Sequence, residues 1–128
     1  MNAKKILTLI LLLIFIMDVP VQAADIVLLF DASRSMEDYP VDGSQVNKIV
    51  LARQGVDTFL SSLSESDRVA LIVFYGCSDI QVEVDFTTDK DQIRNTLSLV
   101  EPSEATAIAQ ALKKGWSYLK QNGRKCEE

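Results

Sequence analysis

Residues Asp25–Met36 read "DIVLLFDASRSM". Five consecutive apolar residues, Ile26 to Phe30, run into an aspartate and two serines at every second position: Asp31, Ser33 and Ser35. A continuous apolar run of this kind predicts a strand buried on both faces, as in a parallel sheet covered by helices. In open parallel sheets, ligands gather beyond the carboxyl ends of the strands, and Asp31 stands at that point. The spacing lets three oxygens turn toward one point as the chain leaves the sheet. Hard divalent cations take oxygen ligands, and magnesium wants about six at roughly 2.0–2.1 Å. One carboxylate and two hydroxyls supply part of that shell and leave much of the ion's charge unbalanced. Such an ion keeps a position suited to a carboxylate from a partner. Read alone, the same residues also serve as ordinary turn formers and helix caps.

Outward from this stretch the pattern alternates between strand and helix. A polar loop, Ser35 to Gly43, contains Pro40, the Asp42-Gly43 turn signal and the acidic residues Glu37, Asp38 and Asp42. Val46, Ile49, Val50, Val56, Phe59, Leu60 and Leu63 then follow the rhythm of an amphipathic helix, with Ser44 as its expected N-cap. "RVALIVFY", Arg68 to Tyr75, is a second buried strand. Ile80, Val82, Val84 and Phe86 alternate with Gln81, Glu83 and Asp85, which predicts an edge strand with one wet face. Thr88-x-x-Asp91 reads as a capping box for a short helix through Leu99, with Ile93 and Leu97 inward. A last helix is expected from about Thr106 to Gln121, with Ile108, Leu112, Trp116 and Leu119 on one stripe and Trp116 packed in the core. Thr106 would be its N-cap and Asn122-Gly123 its C-cap. Two long strands separated by one helix imply a right-handed parallel crossover. The fold class is α/β, a doubly wound, mostly parallel open sheet.

Upstream, Lys4 and Lys5 precede an unbroken apolar run, Ile6 to Met17, and Val21-Gln22-Ala23 supplies small residues for cleavage. The run has the size of a signal-peptide core and falls short of the ~20 residues of a spanning helix. Residues 1–23 are therefore expected to be a signal peptide and residues 24–128 one domain, secreted, periplasmic or on the cell surface. Membrane attachment is expected only if the leader stays uncleaved. The chain has 128 residues, 48% of them hydrophobic, which suits a single packed domain and argues against disorder. Its formal charge of −5 lacks the basic footprint of a nucleic-acid binder. The absence of histidine removes Ser-His-Asp and Cys-His catalysis and imidazole-based zinc sites.

Two cysteines in an exported chain suggest a disulfide, but the topology opposes it. Cys77 follows the second strand at the serine-loop end of the sheet. Cys126 follows a helix that starts at that end and runs back. A six-residue strand spans roughly 20 Å, whereas a disulfide needs Cα atoms within about 7 Å. Two separate thiols are expected within a monomer.

"DIVLLFDASRSM" resembles the first strand and Asp-x-Ser-x-Ser signature of the von Willebrand factor type A domain, which carries a metal-ion-dependent adhesion site. "LARQGVDTFLSSLSESDRVALIVF" resembles that family's first helix and second strand. "VEVDFTTDKDQIRNTLSLVEPSEATAIAQAL" resembles its edge strand, second helix and the loop bearing a metal-binding threonine. The resemblance implies that Asp31, Ser33, Ser35 and Thr106 are metal ligands, the aspartate acting directly or through water. It implies a divalent cation, magnesium first, with manganese or calcium as alternatives. It implies a protein partner that supplies an Asp or Glu carboxylate, and no enzymatic activity. Two departures stand out. The threonine loop usually reads Gly-Gly-Thr, and here Glu104-Ala105 replace the glycines; their Cβ atoms restrict φ > 0, and Glu104 adds a carboxylate near the ion. The family also supplies a further aspartate and further strands beyond the third helix. The C-terminal strands are thus expected to be missing, the first strand to have an open apolar edge, and the chain to be an N-terminal portion, with a partner chain as one means of completing the sheet.

The competing reading is an aspartate-nucleophile phosphohydrolase of the haloacid-dehalogenase type, which also places an aspartate at the end of a first buried strand beside magnesium. That chemistry usually wants a second acid two residues on. Ser33 occupies the position here, and the Thr106 region offers no lysine in the expected setting. An inactive fragment is the third reading.

Overall fold

The computed structural model describes residues 23–40, 43, 45–76, 78–103 and 105–125. In chain order the elements are β1 (Asp25–Asp31), a 3-10 turn (Arg34–Met36), α1 (Lys48–Ser62), β2 (Arg68–Phe74), β3 (Ile80–Thr87), α2 (Lys90–Ser98) and α3 (Ile108–Asn122). Most of the expected leader, and both cysteines, lie outside the described residues.

β2 forms the centre of a three-stranded sheet of order β1-β2-β3. β1 pairs with it in parallel, from Asp25 opposite Arg68 to Asp31 opposite Phe74. β3 pairs antiparallel, with irregular register between Val69 and Ile72. The described part of the sheet thus holds one parallel pairing and one antiparallel edge strand, consistent with the expected α/β open sheet. Residues Val69 to Val73 of β2 are wholly inaccessible, as an uninterrupted apolar strand requires. β1 has the same composition but sits at an edge, and all of it except Phe30 is half-buried. The reason is positional: among the described residues β1 has a strand on one side only.

The two faces of the sheet are covered differently. On one, Phe30, Val69, Leu71 and Val73 pack against Ile49 and Leu60 of α1 and Ile93 and Leu97 of α2. On the other lies α3, which buries only its small residues Ala111 and Gly115. A Cβ on Gly115 would stand 2.9 Å from a methyl of Leu29, so the glycine is what lets the helix approach the strand. This overturns the expected core packing of Trp116. Ile108, Leu112 and Trp116 are 58%, 58% and 65% exposed. Periodicity finds an apolar stripe correctly, but it does not say which surface covers it.

Helix ends also differ from expectation by residue. α1 is capped by Asn47, whose side chain accepts from the Val50 N–H (3.3 Å), and Ser44 lies outside the described residues. α2 is capped by Asp89, which accepts from the N–H groups of Asp91 and Gln92. Both changes move the cap to the side chain that reaches the second or third N–H of the helix. α3 starts after Ala107 with no side-chain cap, so Thr106 is free for another role. Gly123 does cap its C-terminus, with ordinary negative φ. A Cβ there would meet the Leu119 carbonyl oxygen at 2.6 Å.

The strand beginnings are held by ions. Asp25 accepts from Arg68 Nε (2.9 Å) and Nη2 (2.5 Å), from Arg124 Nε (2.7 Å), and from the Arg124 N–H. The Arg68 guanidinium, aided by Arg124, holds the Asp25 carboxyl well below the usual carboxylate range. Asp67 beside it accepts from the N–H groups of Ala24 (2.7 Å) and Ser64 (2.8 Å), which lower its pKa too. These contacts tie β1, β2 and the end of α3 together at the end of the sheet opposite the serine loop.

Candidate metal centre

At the carboxyl end of β1 the ladder continues one residue, with the Ala32 N–H donating to the Phe74 carbonyl (3.0 Å). Ala32 is fully buried and fixes the start of the loop. The Asp31 carboxylate then turns back to accept from the Ser33 N–H (2.8 Å), a local bond that aspartate makes readily in turns. The 3-10 turn follows, closed by Met36 N–H to Ser33 carbonyl (2.9 Å) and Glu37 N–H to Arg34 carbonyl (3.0 Å). That tight turn brings the Ser33 and Ser35 hydroxyls to 3.1 Å from each other.

The second loop is docked on the first by the Ser103 N–H, which donates to the Ala32 carbonyl (2.8 Å). Three residues on, the Thr106 hydroxyl donates to Ser33 Oγ at 3.0 Å, across 73 residues of sequence. Since Ser33 accepts from Thr106, its own proton is free for Ser35. Ser33 is 1% exposed, while Ser35 and Thr106 are exposed. One buried hydroxyl thus lies beneath two that face solvent. Ala105, in place of a glycine, does not prevent this approach. Glu104 lies outside the described residues.

Adjacent ligands of an octahedron with bonds of about 2.1 Å stand about 3.0 Å apart. The separations of 3.1 and 3.0 Å among these hydroxyls match that edge. The donor set is all oxygen, as magnesium prefers. Among the described residues no cluster of three or more His, Cys, Asp or Glu side chains is placed to hold an ion. A cation here would therefore rest on hydroxyls with Asp31.

Lys48, the first residue of α1, is a further neighbour of the serine loop. Its ammonium donates to the Ser35 carbonyl (3.3 Å) and lies 3.9 Å from Asp38. The Lys48 N–H also donates to the Asp38 carbonyl (3.0 Å), which pins the start of α1 to the serine loop. A thirteen-residue separation through an irregular loop leaves no periodic signal for such a contact.

A sequence model of the von Willebrand factor type A domain matches residues 26–127. No curated protein matches the chain. Among solved structures, an uncharacterized membrane-spanning protein from Vibrio fischeri superposes with a TM-score of 0.68 at 21% identity, over 81% of this chain and 52% of that one. BatB from Bacteroides thetaiotaomicron gives 0.65 at 20% identity, over 82% and 48%. The minor pilin PilB from Streptococcus sanguinis gives 0.66 at 18% identity, over 82% and 28%. At these identities the likeness is one of fold. The chain spans about half the length of the first two structures.

Proposed function

This chain belongs to the von Willebrand factor type A domain family, and we propose that it is a non-enzymatic, exported binding module that recognises a protein partner through a divalent cation. Ser33, Ser35 and Thr106 would hold the ion by their hydroxyls, with Asp31 contributing a carboxylate, directly or through water. Bound there, the ion would supply Lewis acidity toward an Asp or Glu of the partner. Neutral hydroxyls leave that charge largely uncompensated, which favours an anionic partner group. Ser33 orients its two neighbours, and its burial keeps water from competing beneath the site. Tyr39, 62% exposed on the same loop, offers an aromatic contact at the rim. The leader at residues 1–23 supports secretion or display at the cell surface.

The observation that carries this reading is the convergence of three hydroxyls from two loops at 3.0–3.1 Å. Titration calorimetry with magnesium or manganese tests it. The folded chain is expected to bind either ion, and a variant carrying Ser33→Ala and Ser35→Ala is expected to lose that binding. Equal binding by the two proteins would remove the site assignment.

A further inference from the structure

We propose that the cleft between α1 and α2 is a binding site for a small aliphatic carboxylate. Both helices pack on one face of the sheet, through Ile49 and Leu60 of α1 and Ile93 and Leu97 of α2. Between them lies a cleft of about 270 Å³, lined by Arg53, Val56 and Asp57 of α1 and by Arg94, Leu97 and Ser98 of α2. Spacings of three and four residues place each set on one side of its own helix. The cleft shares no residue with the hydroxyl cluster.

Its two guanidiniums are served differently. Arg94 donates from Nε to Asp57 (2.6 Å), from Nη1 to Asp91 (2.9 Å) and from Nη2 to Ser61 (3.0 Å). One cation there meets two carboxylates. Arg53 meets none. Its Nη2 donates to the Val100 carbonyl, and its Nε is buried without an acceptor. Among the described residues no carboxylate forms an ion pair with Arg53, that of Glu101 beside Val100 included. The bond to Val100 ties α1 to the segment after α2. A neutral carbonyl does not balance a charge, however, and a half-buried cation with a spare donor is costly.

These features select the occupant. Arg94 reaches Asp57 and Ser61, while Arg53 reaches Val100, so the two arginines mark opposite ends of the cleft. In sum the charges cancel, two guanidiniums against the carboxylates of Asp57 and Asp91. They are nevertheless separated, positive at Arg53 and negative at the Arg94 end. The Arg53 end fits one carboxylate, for which a guanidinium fork is shaped. Val56 and Leu97, between the ends, fit a short apolar body. The negative end disfavours a second anionic group. The volume lies just under the roughly 300 Å³ at which ligand pockets begin, and Gln54, Asp57 and Ser98 give the rim exposed polar groups. The occupant is therefore small, singly charged and otherwise aliphatic.

Octanoate is the probe, with octan-1-ol as its uncharged counterpart. The chain, in the form in which cells accumulate it, is titrated with each and followed by its amide NMR shifts. No cation is added, so the outcome is independent of the proposed metal centre. Octanoate is expected to bind saturably with a Kd of about 1 mM or tighter, moving amides within residues 53–57 and 94–100. Octan-1-ol is expected to bind about tenfold more weakly or worse. Arg53→Met keeps the aliphatic stem and removes the charge; it is expected to lower octanoate affinity by a similar factor and to leave octan-1-ol binding unchanged. Ser98→Glu alters an exposed rim position and adds a carboxylate there. It is expected to weaken octanoate alone, and it decides the matter if circular dichroism shows that Arg53→Met does not fold. The absence of saturable octanoate binding overturns the proposal, as do shifts centred elsewhere in the fold. So does equal affinity for octanoate and octan-1-ol, or octanoate binding that both variants leave intact.

Discussion

At its first residue β1 carries a carboxylate clamped by two guanidiniums; at its last it runs into three hydroxyls that bond one another. Both ends gather polar groups from segments far apart in sequence, yet the chemistry differs. The Asp25 side chain is only 7% exposed, and its bonds are charge-assisted, from Arg68 and Arg124. The hydroxyl cluster carries no charge of its own, and two of its three members face solvent. A clamp of the first kind locks three elements together. A cluster of the second kind has oxygen lone pairs to spare for a ligand. One strand thus separates an end that holds the fold from an end that is available for binding.

The largest expected effect comes from breaking the clamp. Asp25→Ala removes the acceptor shared by Arg68 and Arg124, which are 30% and 40% exposed and can turn partly to water, and a loss of about 2 kcal/mol in urea unfolding is expected. A loss below about 1 kcal/mol would show that the clamp is ornamental. The pH dependence has a definite sign. The carboxyls of Asp25 and Asp67 are both held below the ordinary range in the fold. Their contribution is therefore complete above the unfolded value of about 4 and is lost as pH falls through the folded values. The urea midpoint should drop on acidification below about pH 4, and Asp25→Asn should flatten that drop.

The opposite end should respond in the opposite manner. Ser33→Ala removes the central hydroxyl, but Ser35 and Thr106 are exposed and can turn to water. Its stability cost is expected to be about 1 kcal/mol or less, measured in the same unfolding experiment, while cation binding is lost. If Ser33→Ala instead unfolds the chain as strongly as Asp25→Ala, the two ends are both structural and the contrast fails.

The two ends were unequally legible in the sequence. Apolar runs and alternation identify all three strands, and β3 is an antiparallel edge strand as its wet face implies. The serine end is visible because Asp31, Ser33 and Ser35 are local, and because the resemblance points to Thr106. The clamp is not visible, since Asp25 and Arg124 are 99 residues apart and neither belongs to a motif. The Trp116 expectation failed for a physical reason. Large apolar residues marked the stripe, while Ala111 and Gly115 made the contact, because close helix–sheet approach needs small side chains. Caps shifted by one to three residues because several neighbouring side chains could accept the same N–H groups, and only loop geometry chooses among them.

The smallest expected effect sharpens the binding end alone. The Lys48 ammonium contacts the Ser35 carbonyl, so it places a positive charge beside the position proposed for a cation. Like charges repel, but this side chain is 40% exposed and solvent screens it. Lys48→Met keeps the aliphatic stem and removes the charge. Cation affinity should rise by about two- to three-fold at low salt, a gain of well under 1 kcal/mol, and the gain should shrink as salt is added. Stability should hardly move, since the ion pair with Asp38 is long and exposed. Unchanged affinity at low salt would mean that the cation sits elsewhere than at these hydroxyls. A rise confined to low salt would tie the binding event to the carboxyl end of β1 without touching any proposed ligand.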